Sequence, residues 1–189
     1  MLSRAKDAYG QLLVDRQRGQ PSQEIVERDD GFVLTPLAIR VCRDRGVRAA
    51  RVVPVSAISR RLGGFDSILM LGNNVGPLGG PERAGRLLRR WHAMTSAHAR
   101  IAGTTMNPYA CVTSDHRRYH RFNRTRGRLG GQLRIRVRHR RLATPWFDYW
   151  LASPEELRRA VRGTGWRIPE LLPENGVGYG VVMEKERRK

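Results

Sequence analysis

The sequence predicts an α/β domain with a mainly parallel sheet, and three features carry that reading. Strand-like apolar runs alternate with segments of helical period from Thr35 to Thr105. The run Ile68-Leu69-Met70-Leu71 has no polar alternation, as expected of a strand covered on both faces. It breaks into Gly72-Asn73-Asn74-Val75-Gly76, a small, polar, glycine-bearing loop ahead of a helix that starts at Pro81. Ligands of open α/β sheets bind beyond the carboxyl ends of the strands, which makes this loop the first candidate for a ligand site. Gly72, Gly76, Gly79 and Gly80 allow a close backbone approach to a ligand, although a tight strand-to-helix turn without one has the same composition.

The 189 residues, 40% of them hydrophobic, suffice for one domain with a real core. No apolar stretch approaches the roughly 20 residues needed to span a bilayer, and Met1 to Asp7 lacks the apolar centre of a signal peptide, so a cytoplasmic protein is expected. Cys42 and Cys111 are too few for a disulfide framework and are expected as reduced thiols. A net charge of +19 ordinarily points to a polyanion. Here 33 Arg stand against 3 Lys, a skew that high-GC coding produces without selection for binding.

In chain order, Ala5, Ala8, Tyr9, Leu12 and Leu13 share one face of a short helix, and Ile25-Val26 marks a short strand. Thr35-Pro36 caps a helix that Gly46 closes in the left-handed conformation. Val52 to Val55 is a β-branched strand, followed by Ser56 and Ala57. Ala84, Leu87, Leu88 and Trp91 follow the i, i+3, i+4, i+7 pattern of a helix lying on the sheet, and Ala99 to Thr105 is the next strand. Gln132 to Arg138 alternates strictly, as a half-exposed strand does, and Ala143 to Leu151 is its expected antiparallel partner. Ser153-Pro154-Glu155-Glu156 is a capping box opening a helix that Gly163 closes. Trp166 to Leu172 and Gly178 to Glu184 complete the sheet. No linker separates a second domain; the chain divides into an N-terminal helix and short segment, 1–34, and an α/β domain, 35–189.

The glycines spell no phosphate loop, because no Lys-Ser or Lys-Thr follows, and no Gly-x-Gly-x-x-Gly follows a strand. Cys111, His116 and His120 lack a fourth metal ligand and a dry surround, so no metal is expected. Eleven arginines and no acid lie from Arg117 to Arg141. Arg134, Arg136 and Arg138 are expected on one strand face about 6 to 7 Å apart, with Tyr119, His120 and Phe122 close in sequence. Nucleic acid is one reading of that patch, and a solvated face is the other. Asp66, at the start of its strand, is structural, and no Ser, Cys and His arrangement makes a nucleophile.

The runs Thr35 to Cys42, Phe65 to Asn74, Trp146-Phe147-Asp148-Tyr149 and Gly163-Thr164-Gly165-Trp166 together resemble bacterial class I S-adenosylmethionine-dependent methyltransferases, from Thr35 to Glu186. The resemblance implies a Rossmann-like sheet with flanking helices, its last strand antiparallel, with an added antiparallel hairpin and S-adenosylmethionine as cofactor. It implies that Ser56 and Ala57 flank the adenine and that Leu71, Gly72, Asn73 and Asn74 lie beside the cofactor's amino-acid portion. A small-molecule or unidentified acceptor is expected to meet the region from Asn107 to Trp150, where Tyr109, His120 and Trp146 are the candidate contacts. No catalytic residue is implied, because methyl transfer rests mainly on positioning. The chain departs from the pattern at its N-terminal half. Glu27 to Phe32 runs almost directly into Thr35-Pro36, so a first strand and its glycine-rich turn are missing, and Val33 or Leu34 stands where a ribose-binding acid belongs. The expected function is methyl transfer impaired by that loss. A non-catalytic binding or regulatory protein on the same fold and a basic nucleic-acid binder are the alternatives.

Overall fold

The computed structural model describes residues 26–27, 40, 43–46, 51–62, 64–110, 112–139, 142–173 and 176–186. The N-terminal helix, the start of the Thr35 helix, Val33, Leu34 and both cysteines lie outside these residues. So does the proposed division at 34/35. Gly46, with φ of 87°, has the left-handed conformation expected at the close of a helix, and its N–H reaches the Arg43 carbonyl at 2.9 Å.

Two short strands, β1 (Val26–Glu27) and β2 (Val52–Val53), pair in parallel. β2 is shorter than expected because Pro54 precedes a 3-10 turn at Val55–Ala57. The main sheet has four strands in the order β3 (Phe65–Met70), β4 (Thr95–Met106), β10 (Gly178–Lys185), β9 (Trp166–Pro173). β3 and β4 are parallel and are joined by helix α1 (Pro81–Met94), while β10 runs antiparallel to both of its neighbours. Among the described residues this sheet is therefore mixed rather than mainly parallel. The connection from Pro173 to Gly178 is too short for a crossover, so β9 and β10 must meet head to tail.

Pro81 occupies the first turn of α1 with Glu82 beside it, favourable for the helix dipole. Ala84, Leu87, Leu88, Trp91 and Met94 are buried, a continuation of the expected stripe by one more turn. The far end of α1 is held by Lys185, whose Nζ donates to the carbonyls of His92 and Thr95 at 2.7 Å each, a cation on a helix C-terminus. Burial lowers the Lys185 pKa, and the nearby Arg60 adds to the effect. Helix α3 (Pro154–Val161) packs against α1. Its Ser153 capping box forms as the residue pattern implies, with Ser153 Oγ accepting from the Glu156 N–H at 3.2 Å and a Glu156 carboxylate oxygen accepting from the Ser153 N–H at 3.1 Å. The core lies between these helices and one sheet face and includes the fully buried Trp91, Trp150 and Trp166.

Between β4 and α3 the chain inserts helix α2 (Ser114–Arg124) and strands β5 (Gln132–Ile135), β6 (Arg138–His139), β7 (Leu142–Ala143) and β8 (Phe147–Trp150). β5 pairs antiparallel with β8, Gln132 opposite Trp150. This is the added hairpin. Strand pairing breaks after Ile135, so Arg134, Arg136 and Arg138 do not form one continuous strand face. The expectation that the Ile68 to Leu71 run is covered on both faces is also corrected. One face of β3 carries half-buried Ile68 and buried Met70, but on the other Leu69 is 41% exposed, and Leu71 just beyond the strand is 37% exposed.

Candidate functional site

The loop after β3 turns on two left-handed residues, Gly72 with φ of 70° and Asn73 with φ of 64°. Asparagine accepts this conformation more readily than most side-chain-bearing residues. Three contacts fix it. The Asn73 N–H donates to Thr104 Oγ1 at 2.9 Å, at the C-terminal end of β4. The Asn73 carbonyl accepts from the Gly76 N–H at 2.9 Å and from the Tyr149 hydroxyl at 2.6 Å, which reaches across from β8. Burial raises the Tyr149 pKa, so the phenol stays protonated as a donor through neutral pH.

Three of the four loop glycines are filled by protein rather than left open for a ligand. A Cβ on Gly76 would lie 2.1 to 2.5 Å from three Tyr149 ring atoms, one on Gly80 would lie 2.3 Å from Gln132 Nε2, and one on Gly79 would meet Arg83 and Asp148. Gly72 differs, because nothing lies within 4 Å of a Cβ built there. The loop is thus held on one side by β4 and the inserted hairpin. On the other it presents exposed Leu71, Gly72 and Asn74, with Asn73 half-buried. Ser56 is half-buried and Ala57 exposed, and the Ser56 carbonyl is held by Arg90 of α1 rather than by the 71–74 loop.

A second cluster forms inside the insertion. Tyr109 donates its hydroxyl to Glu156 Oε1 at 2.6 Å, and the His120 ring packs edge-on against it with centroids 5.2 Å apart. Gly130 makes room for both rings, since a Cβ there would lie 2.8 Å from Tyr109 and 3.1 Å from His120. Burial first, and then the hydrogen bond to Glu156 and its charge, raise the Tyr109 pKa. For His120, burial lowers the pKa, Arg124 and His116 add to the lowering, and Glu156 opposes it, leaving a neutral imidazole at pH 7. The fold brings Tyr109 and His120 together. Trp146 sits at the mouth of β8, 52% exposed, with the Arg136 guanidinium 4.9 Å above its ring.

Among the described residues no group of three His, Cys, Asp or Glu could hold a metal ion, and no helix is long and apolar enough to cross a membrane. His116 Nδ1 instead accepts from the Thr113 N–H at 3.5 Å in the cap of α2. The site contacts of Thr104, Tyr149 and Glu156 were not expected from the sequence, in which Glu156 reads as a helix cap. The sole signals were a threonine pair ending an apolar strand and a tyrosine within an aromatic cluster.

The neutral His120 carries a pH dependence. Its folded pKa lies below the unfolded value of about 6.5, so the unfolded chain binds the extra proton and stability falls as pH drops through that value. Thermal unfolding at pH 7.5 and 5.5 is expected to show a drop for the native chain and a smaller one for His120→Gln. Equal drops would mean that His120 is not the group responsible.

The arrangement of parallel β3 and β4 with antiparallel β10 and β9 superposes on solved structures. A methyltransferase from Bacteroides fragilis, crystallised with S-adenosyl-L-homocysteine, superposes with a TM-score of 0.65 at 21% identity over 82% of this chain and 61% of that one. The fold is that of the S-adenosylmethionine-dependent methyltransferases. The methyltransferase from Methanosarcina mazei matches at TM-score 0.57 and 15% identity over 88% of this chain and 84% of that one. The CcbJ methyltransferase of Streptomyces caelestis matches at 0.57 and 12% over 95% and 88%. The chain therefore spans less than two thirds of the Bacteroides protein. No protein-family model matches the sequence, and comparison with curated proteins gives no match. Placed on the methyltransferase fold, the Leu71 to Asn74 loop lies at the C-terminal end of a parallel strand, where such sheets take ligands.

Proposed function

We propose that this chain is a methyltransferase that binds S-adenosylmethionine at Leu71, Gly72, Asn73 and Asn74, with Ser56 and Ala57 flanking the adenine. The observation that carries the reading is the Asn73 turn, pinned by Thr104 and Tyr149 while Gly72 faces open space. The residues fit the cofactor's amino-acid portion: a glycine without Cβ leaves room, and two amide side chains can donate and accept hydrogen bonds. Bound there, S-adenosylmethionine would supply a methyl group on a sulfonium. Thr104 and Tyr149 orient the loop, and neutral His120 keeps a lone pair able to accept a hydrogen bond from an acceptor lying against Tyr109, His120 and Trp146. We read residues 35–189 as the methyltransferase-like unit and 1–34 as a preceding segment, in a cytoplasmic protein.

One observation favours weakened or lost chemistry on the same fold. Glu27 to Phe32 runs almost directly into Thr35-Pro36, which leaves no length for the first strand and glycine-rich turn that the resemblance implies. Calorimetric titration of the full chain with S-adenosylmethionine decides between the two. Binding weaker than millimolar, with no methyl transfer, supports a regulatory protein that kept the fold. Micromolar binding means that the cofactor site works without the first strand and its glycine-rich turn, and supports an active enzyme.

A further inference from the structure

We infer that the face built by α2 and the inserted hairpin binds single-stranded nucleic acid, a property that goes beyond methyl transfer and does not require the cofactor. α2 docks on β5 through Asn123, whose Nδ2 donates to the Gln132 and Gly130 carbonyls at 2.8 and 3.0 Å, and through the Tyr119 hydroxyl, which accepts from the Arg134 N–H at 3.4 Å. The chain beyond β5 folds back at Val137 and Thr144, which exchange hydrogen bonds at 2.9 and 3.0 Å and bring Arg136 onto Trp146.

Charge on this face is one-sided. Asp115 is spent on Arg118 at 3.0 Å, and Asp148 lies between Arg128 at 2.9 Å and Arg134 at 3.3 Å. None of Arg117, Arg121, Arg124, Arg126, Arg136 and Arg138 forms an ion pair with a described carboxylate. Arg117, Arg121 and Arg124 follow i, i+4, i+7 spacing and make one exposed stripe along α2, suited to a row of phosphates.

Exposed aromatic rings stand beside other arginines of this region. Phe122 is 50% and Trp146 52% exposed, with Arg126 5.0 Å over the first ring and Arg136 4.9 Å over the second. Tyr119 lies 6.3 Å from Phe122. Stacking of bases on aromatic and guanidinium planes uses rings exposed in this way. Duplex bases are already stacked, so these rings select an unpaired strand.

The test is fluorescence anisotropy of the full chain with a labelled single strand of about 16 nucleotides, against the same sequence as a duplex. With about four phosphates neutralised, affinity is expected to fall about 50-fold between 50 and 200 mM salt. The single strand should outcompete the duplex. Phe122→Ala and Trp146→Ala should each weaken binding about tenfold, and Phe122→Leu and Trp146→Leu, which keep apolar bulk but lose the flat ring, should do the same. Charge reversal at Arg121 and Arg124 should weaken binding and flatten the salt slope. Absence of binding at 50 mM salt overturns the inference. So do equal affinities for strand and duplex, or ring variants that bind as the native chain does. Cofactor titration of the same preparation reads the methyltransferase proposal separately.

Discussion

Gly76→Ala is expected to detach the inserted hairpin from the β3 loop and to cost both stability and affinity for the methyl donor. The added methyl would enter the Tyr149 ring at 2.1 to 2.5 Å, a distance no relaxation of the ring in place can absorb. Tyr149 must swing away, which breaks its 2.6 Å hydrogen bond to the Asn73 carbonyl. Overpacking of this kind costs about 1–3 kcal/mol, and the lost hydrogen bond adds about 1 kcal/mol. Tyr149→Phe separates the two effects, since it removes the hydroxyl and leaves the ring over Gly76; it should cost only the smaller amount. Thermal unfolding and donor calorimetry on both variants check this. A Gly76→Ala protein with native stability would mean that Tyr149 does not rest on Gly76. Gly72→Ala makes a useful contrast. Its φ of 70° carries strain of about 1–2 kcal/mol, but no atom waits for the new methyl.

Trp166→Ala is expected to produce the largest loss of stability, about 3–5 kcal/mol, which is a large share of the 5–15 kcal/mol typical of a domain. Trp166 is 1% exposed, and its Nε1 donates to the Leu88 carbonyl at 2.9 Å. His92 meets the ring edge-on with centroids 5.9 Å apart, and Lys185 lies 5.9 Å over it. One side chain therefore fastens β9 to α1 and supports the lysine that holds the helix end. Trp166→Phe keeps most of the volume and should lose distinctly less. Urea titration reads both; a midpoint for Trp166→Ala within error of the native chain would refute the argument.

What could be read in the residues was local chemistry. Pro81 and the Ala84, Leu87, Leu88, Trp91 stripe located α1, the Ser153 box located the start of α3, and Asn73 beside Gly72 marked the turn after β3. Each depends on neighbours within about two turns of chain. The contacts that shape the candidate site span far more: Tyr149 is 76 positions from Asn73 and Thr104 is 31. No spacing rule connects them. The apolar run at Ile68 to Leu71 announced a strand but not what would cover it, and exposure of Leu69 depends on what packs on that face of the sheet. Arg134, Arg136 and Arg138 alternate perfectly, yet the strand ends at Ile135 because Val137 finds Thr144 instead. α2 was obscured by its own polarity, because His120 and Asn123 face inward where a periodicity argument looks for aliphatic residues.

β10 pairs with β4 on one side and β9 on the other, and it is made after both. A ribosome that has delivered the chain through Pro173 has synthesised three strands of the sheet without the one that joins them. β9 has no strand to pair with until Gly178 to Lys185 is made, and Lys185, which steadies the end of α1, arrives with that strand. At about 5–20 residues per second, the half-sheet and its apolar edge wait on translation. Closure of the four-stranded sheet thus waits on the last of its strands to be made.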